Sequence, residues 1–302
     1  MKNPAEIVAF GGCYLDINAS GLPFGAMGIG TETEMRTPTY DCLPGGSGIN
    51  FSRALKGQEV EALFLGMRGD DVVGDLLETL LKDEGIHADL QAAPGKHTNV
   101  GIGAVGKDGS HVVFSLGDAN QELTLKTLLP RLEKYLPTAR YLYMGTLYKL
   151  DRLAAHFCDI IALAHENGVQ VVVDHGRITP SAPEERFVQV REAVLRADYY
   201  LPSRAEFLQT WGVSDAEEGL RKLAKEATTL CVILKDGAQG AHYVDKGKLI
   251  TVPAQRVNSA NNASGAGDSF NAGFLSGLLS GEDLRGAVEG GCKVAAEHIS
   301  KS

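Results

Sequence analysis

Several things are missing from this 302-residue sequence, and each absence removes a class of protein. The five cysteines, Cys13, Cys42, Cys158, Cys231 and Cys292, are odd in number and widely spaced, with no C-x-x-C. That argues against a disulfide frame or a zinc site and for free thiols in a reducing compartment. Cys13 and Cys231 sit in strand-like runs and are expected as small core residues. The eight histidines form no H-E-x-x-H and no pair at ligand spacing with cysteine, so a protein-held zinc is not expected. There is no long apolar run behind a basic start. The apolar stretch at 7–10 is too short for a signal peptide or a membrane span, and the expectation is a cytoplasmic protein with no membrane partner. There is no Lys/Arg-rich block and the formal charge is -9, which excludes nucleic acid as a general partner. We find no internal repeat and no low-complexity linker. G-x-G-x-x-G is absent after the first strand, where Gly11-Gly12 stands instead, so a nicotinamide oxidoreductase on a Rossmann sheet lacks support.

Glycine is plentiful, with 36 residues, and points to loops that bring backbone close to a ligand. The most informative cluster is Gly265-Ala266-Gly267-Asp268, followed by Phe270, Phe274, Leu275 and Leu278 at helical spacing. A tight turn opening into an amphipathic helix presents unpaired N–H groups and a positive dipole end, which attract anions. A carboxylate in the first turn can accept a proton from a hydroxyl brought to a bound phosphate, the arrangement needed for phosphoryl transfer to an alcohol. A bare turn with a favourable first-turn charge would leave the same string, so the rest of the chain must decide.

Read in order, the chain opens with a buried strand at 6–13, then Asp16 and Asn18 at its end, where α/β sheets bind ligands or where an Asp merely shapes a turn. Residues 21–40 are Gly- and Thr-rich without helical period and read as a projecting lid. Gly45, Gly46 and Asn50 open a helix near 50–56, a combination suited to a polyol. A strand at 60–67 and a helix ending near Gly85 follow. Strands at 98–105 and 111–116 read as a hairpin with Asp108-Gly109 at its turn. From about Leu123, helices and strands alternate: 123–134, 139–146, 151–167, 169–174, 183–196, 197–201, two short helices in 204–226, and 230–235. This alternation indicates βαβ units and a parallel sheet. Short strands at 240–245 and 248–252 precede the glycine loop, and a helix at 282–299 ends the chain. Phe207 and Trp211, at helical spacing, read as core. Asp174 and Arg177, at a strand end, read as an ion pair in preference to a phosphate contact.

Five features in this order and spacing carry a resemblance: Gly11-Gly12 with Asp16; Gly45-Gly46 with Asn50; Thr98, a hairpin and Gly117-Asp118-Ala119-Asn120; Pro202 with Glu206; and Gly265-Ala266-Gly267-Asp268. Together they resemble the ribokinase-like (PfkB) carbohydrate kinases over essentially the whole chain. The resemblance implies a single kinase domain over 1–302, a three-layer α/β/α fold with a mostly parallel central sheet, and a small β-rich lid from segments at about 14–42 and 96–118. It implies Asp268 as catalytic base, with Gly265, Ala266 and Gly267 as the anion hole. Asp16, Gly45, Gly46, Asn50 and Thr98 fall at acceptor-binding positions. Lys235, Gly237, Gly240, Ser264 and Cys292 fall along the nucleotide, and Glu206 orders the magnesium shell. ATP and Mg²⁺ are the implied donor and metal, and a homodimer through the lid is the implied assembly. Three departures matter. Ser203 replaces the Asn of N-x-x-E. Asn262 replaces an Asp of the monovalent-cation loop, which counts against K⁺ activation. Lys235 replaces a common Thr: a cation there would neutralise phosphate charge, and a solvated surface lysine is the equal alternative. The expected reaction moves the ATP γ-phosphate to a hydroxyl, expected to be primary, of a sugar or sugar derivative. A nucleoside or pseudouridine kinase is the alternative, and a non-catalytic sugar-binding regulator a second one. At a helix start, Asp268 is expected to be ionised at neutral pH.

Overall fold

A computed structural model describes residues 5–22, 37, 39–106, 111–257 and 264–301. The first strand, β1 (Ile7–Phe10), is apolar at every position and buried at every position, the pattern of a parallel strand covered on both faces. Then come β2 (Tyr14–Leu22), β3 (Tyr40–Gly45), α1 (Ser47–Lys56), β4 (Ala62–Gly69), α2 (Val72–Asp83) and β5 (His87–Ala93). The hairpin strands are β6 (Val100–Gly106) and β7 (His111–Leu116). The alternating region contains α3 (Leu125–Tyr135), β8 (Tyr141–Gly145), α4 (Phe157–Glu166), β9 (Gln170–Asp174), α5 (Glu184–Val194) and β10 (Tyr199–Tyr200). It continues through α6 (Arg204–Trp211), α7 (Ala216–Glu226) and β11 (Cys231–Val232). The chain then forms β12 (Leu234–Lys235), β13 (Ala241–Asp245), β14 (Lys248–Val252), α8 (Ala266–Leu279) and α9 (Leu284–Lys301).

The central sheet has seven parallel strands in the order β11-β10-β9-β8-β1-β4-β5. Successive residues of β1 feed opposite cores: Val8 and Phe10 join the layer of α3 to α7, whereas Ile7 and Ala9 join the layer of α1, α2, α8 and α9. Strand order reverses beside β1, where the chain runs outward to β4 on one side and returns at β8 on the other. The crevice at the carboxyl ends there is the usual ligand position of such sheets. A second sheet, β3-β2-β6-β7, stands beside this crevice, with β2 and β6 parallel and the outer pairs antiparallel. A three-stranded antiparallel sheet, β12-β13-β14, borders the other side.

Some expectations change. Asp16 and Asn18 lie within β2, paired across to Leu43 and Asp41, instead of in a turn after β1. The single strand expected at 230–235 divides at Ile233 between the central and the three-stranded sheets. Edge strand β5 carries no alternating pattern, since most of its residues are half-buried, and nothing in the sequence marked it. Helix α4 starts at Phe157 after a 3-10 turn at Ala154–His156, later than its apolar period suggested. Most of the 21–40 segment, the Asp108-Gly109 turn and Asn262 lie outside the described residues. Among the described residues no helix is long and apolar enough to cross a membrane.

Candidate active site

Helix α8 begins as its sequence dictates. Gly265 takes φ 82°, the left-handed region that favours glycine, and serves as the N-cap with no side-chain capping bond. Ser269 N donates to Gly265 O at 2.9 Å, so the amides of Ala266, Gly267 and Asp268 precede the first intrahelical bond. Behind them Phe270, Phe274 and Leu275 are buried, and Gly273 packs against the backbone at Gly290 of α9. A ring nitrogen of His298, near the end of α9, lies 2.7 Å from Ser264 O and ties down the loop just before the turn. The anion-attracting end of α8 is thus fixed from two sides.

Asp268 is less simply charged than its place in the helix suggests. Burial, then the nearby Asp174 carboxylate, push its pKa up to about 7; Lys235 and a hydrogen bond from Asn50 work the other way, and Glu206 adds to the rise. The expected full ionisation at neutral pH is therefore corrected: desolvation outweighs the helix dipole. Asp174 does not pair with Arg177 as expected. Its Oδ2 accepts from Lys235 Nζ at 2.9 Å, and Lys235 also donates to Asn271 Oδ1 at 3.1 Å. Burial would raise the Asp174 carboxyl, but the Lys235 ammonium holds it below the ordinary range. Lys235 is therefore an interior ion-pair partner instead of a solvated lysine, its side chain only 12% exposed.

The other wall comes from α1 and the β2-β3-β6 sheet. Asp16 projects between Gly45 and Gly101, and a β-carbon at either glycine would overlap its carboxylate. Gly45 was expected to let a ligand near the backbone; it is needed first to seat Asp16. Gly46 takes φ 100° as the N-cap of α1, against the carbonyl of Gly12. Arg53, one turn after Asn50 on α1, donates to Asn50 Oδ1 at 2.8 Å and to Pro44 O at 2.6 Å, and is itself held by Glu84 at 2.7 Å. With its carbonyl oxygen engaged, Asn50 keeps its amide nitrogen available to a ligand in the cleft that it lines. Burial raises the Asp16 carboxyl, opposed by Lys149 and Arg53. Lys149 Nζ lies 5.3 Å from the centre of the Tyr14 ring. A cleft of about 340 Å³ runs along this wall, lined by Asp16 and Asn50 on one side and Ser264, Gly265 and Ser269 on the other.

Thr98 is not brought to that cleft. Its hydroxyl donates to Asp71 Oδ1 at 2.6 Å and accepts from Gly69 N at 2.9 Å. Asp71 caps α2, so Thr98 ties the start of the β6 segment to that helix. Cys292, expected in the nucleotide pocket wall, lies in the core with Phe270 and Phe274, and burial pushes its thiol up to about 11. Gly237 and Gly240 flank the turn after β12, with φ 52° and 92°; a β-carbon at Gly240 would meet the carbonyl of Val252. Ser203 and Glu206 form a reciprocal capping box at α6, with Ser203 N donating to Glu206 Oε2 at 2.8 Å. The serine that departs from the resemblance thus does a helix-capping job. A parallel bridge sets Ser203 beside Lys235. Among the described residues no cluster of three or more His, Cys, Asp or Glu could hold a metal. Glu206, a single carboxylate at the start of α6, could hold the water shell of a cation carried on phosphates.

Sequence reasoning missed Arg53, Lys149 and Asn271. Helical spacing held a clue for two of them, since Arg53 follows Asn50 and Asn271 follows Asp268 by one turn. Lys149 left no signal, because its place beside Asp16 arises from the pairing of β1 with β8.

A family model described as pfkB family carbohydrate kinase matches residues 5–302. Among curated relatives, 5-dehydro-2-deoxygluconokinase from Bacillus licheniformis is 24% identical over 98% of this chain and 90% of its own. Adenosine kinase from Schizosaccharomyces pombe is 24% identical over 100% and 94%. A solved Escherichia coli structure assigned to ribokinase II, in complex with ATP and Mg²⁺, superposes with TM-score 0.81 at 18% identity, covering 99% of this chain and 94% of that one.

Proposed function

Since this chain belongs to the pfkB family of carbohydrate kinases, we propose that it transfers the γ-phosphoryl group of ATP to a hydroxyl of a sugar or sugar derivative, with Asp268 as the base. The observation that carries the reading is the shared cleft, which the polyol-suited wall lines with Asp16 and Asn50 and the anion-attracting helix start lines with Ser264, Gly265 and Ser269. Asp16 and Asn50 orient the acceptor so that one hydroxyl faces Asp268. Asp268 takes that proton as the acceptor oxygen bonds to the γ-phosphorus, and the bond from that phosphorus to the bridging oxygen of ADP breaks. The amides of Ala266 and Gly267 face the equatorial oxygens, where charge is spread in a loose transition state. They are fixed before the reaction, so little reorganisation is needed. Lys235 and the turn holding Gly237 and Gly240 lie along the nucleotide. Glu206 would hold the water shell of a magnesium ion carried by the nucleotide, which would offset triphosphate charge. The lid sheet limits water and hence wasteful hydrolysis.

A nucleoside acceptor is the second reading, favoured by the adenosine kinase relative that spans the whole chain. A panel of sugars, sugar acids and nucleosides, scored by ADP release, separates the two. In the same assay Asp268→Asn should lower kcat by about 10²–10⁴-fold while binding of a non-hydrolysable ATP analogue persists. Near-normal turnover in that variant would remove Asp268 as the base. With its pKa at about 7, the wild-type rate should fall as pH drops below neutrality, because the protonated form accepts nothing.

A further inference from the structure

Beneath the first turn of α8 lies a cluster that the mechanism above leaves almost unused. Lys235 Nζ reaches from β12 to within 3.4 Å of where a β-carbon on Gly267 would sit. It is held there by Asp174 at the end of β9 and by Asn271 on the inner face of α8. Asn271 is fully buried; its amide donates to the Tyr143 hydroxyl at 3.0 Å and to Asp174. Tyr143 is in turn clamped by ring stacking on Phe51 of α1, with centroids 3.9 Å apart. Every contact that aims the ammonium is therefore itself fixed.

A buried ion pair is an expensive way to fill space, since apolar side chains of similar volume commonly stabilise as much. Its placement calls for another reason. Three carboxylates face this region: Asp268 from α8, Asp174 from β9 and Glu206 from α6. Tyr143 from β8, Asn50 from α1 and the buried His175 just after β9, whose charged form burial disfavours, also face it, and Lys235 is a cation set among them. A phosphoryl group bound at the helix start would bring more negative charge to the same few ångströms. The two amides and the dipole oppose that charge only in part.

We infer that Lys235, clamped by Asp174 and Asn271, is a positioning residue for the transfer. It acts as a fixed counter-charge under the helix start that keeps Asp268 able to accept a proton while an anion occupies the neighbouring amides. This rests on the reading of Asp268 as the base. Asp174 has two opposed effects. It aims Lys235, and its own charge makes Asp268 harder to ionise. Substitutions of the two partners should therefore move the rate profile in opposite directions, which a merely structural pair would not do.

The test measures kcat against pH for the full-length wild type, Lys235→Met, Asp174→Asn and the charge-balanced double variant, using ATP and the best acceptor from the panel. Lys235→Met should move the acid limb upward by about one pH unit and lower kcat at pH 7 about fivefold. Asp174→Asn should move the limb downward. The double variant should fall between Asp174→Asn and wild type, because Asp174 acts on Asp268 more strongly than Lys235 does. Lys235→Arg, which keeps the charge, should restore the limb. If Lys235→Met does not fold, Asp174→Asn and the double variant still decide the sign. Coincident limbs in all folded variants, with Asp268→Asn inactive, would overturn this inference alone. An active Asp268→Asn would overturn the reading beneath it.

Discussion

The role proposed for Asp268 sets opposing demands. Desolvation would suit a base acting away from water, yet it disfavours the ionised form that would accept a proton. The stability consequence has a definite sign. The folded-state pKa of about 7 lies above the unfolded value near 3.8, so the contribution is fully present below about pH 4 and lost as pH rises through 7. Asp268→Asn should therefore be more stable than wild type at pH 8, by on the order of 1–4 kcal/mol, and nearly equal to it at pH 4. Urea melts at both pH values check this. Equal differences at the two would mean that burial is not what shifts the group. The identity of Asp268 was legible in four consecutive residues. Its protonation was not, because Asp174, Lys235 and Glu206 come from other strands and helices.

At the scale of elements, the β3-β2-β6-β7 sheet places its side chains by register. Asp16 on β2 stands opposite Leu43 on β3 and Gly101 on β6, and its carboxylate occupies the space that side chains at Gly45 and Gly101 would fill. Gly45→Ala should displace that carboxylate and raise the acceptor KM at least about tenfold, a loss of roughly 1.4 kcal/mol, while the KM for ATP stays put. Steady-state kinetics with each substrate varied gives the answer, and equal rises in both would argue against a local displacement. Thr98 belongs to a different joint. Thr98→Val removes two hydrogen bonds at the α2 cap and should cost about 1–3 kcal/mol of stability with little change in acceptor KM. A large KM effect with intact stability would return Thr98 to the acceptor site. Helix periods and glycine turns announced most elements. The β5 edge strand and the break at Ile233 were hidden, because edge burial and a change of sheet leave no period in the sequence.

For the molecule as a whole, two walls built from distant parts of the chain meet over one cleft. Asp16 and Asn50 come from its first fifty residues, and Gly265 and Ser269 from its last forty. Ligands that bridge the walls should stabilise the fold by mass action, about 2.7 kcal/mol for a ligand at one hundred times its Kd. A thermal-shift series with an ATP analogue, an acceptor, and both together should show the pair exceeding either alone. A pair no better than the analogue would mean that the acceptor does not bind in the shared cleft.

The sequence by itself determined the parallel α/β pattern, the glycine turn before α8, and the carboxylate in that helix's first turn, since periodicity, turn chemistry and helix dipoles act over a few residues. Only the tertiary structure decided that Gly45 makes room for Asp16, that Thr98 serves the α2 cap, and that Lys235 answers to Asp174 beneath Asp268. Those are matters of which strands lie side by side and how far water is excluded, and Coulomb forces and close packing depend on distance in space, to which spacing along the chain gives no guide.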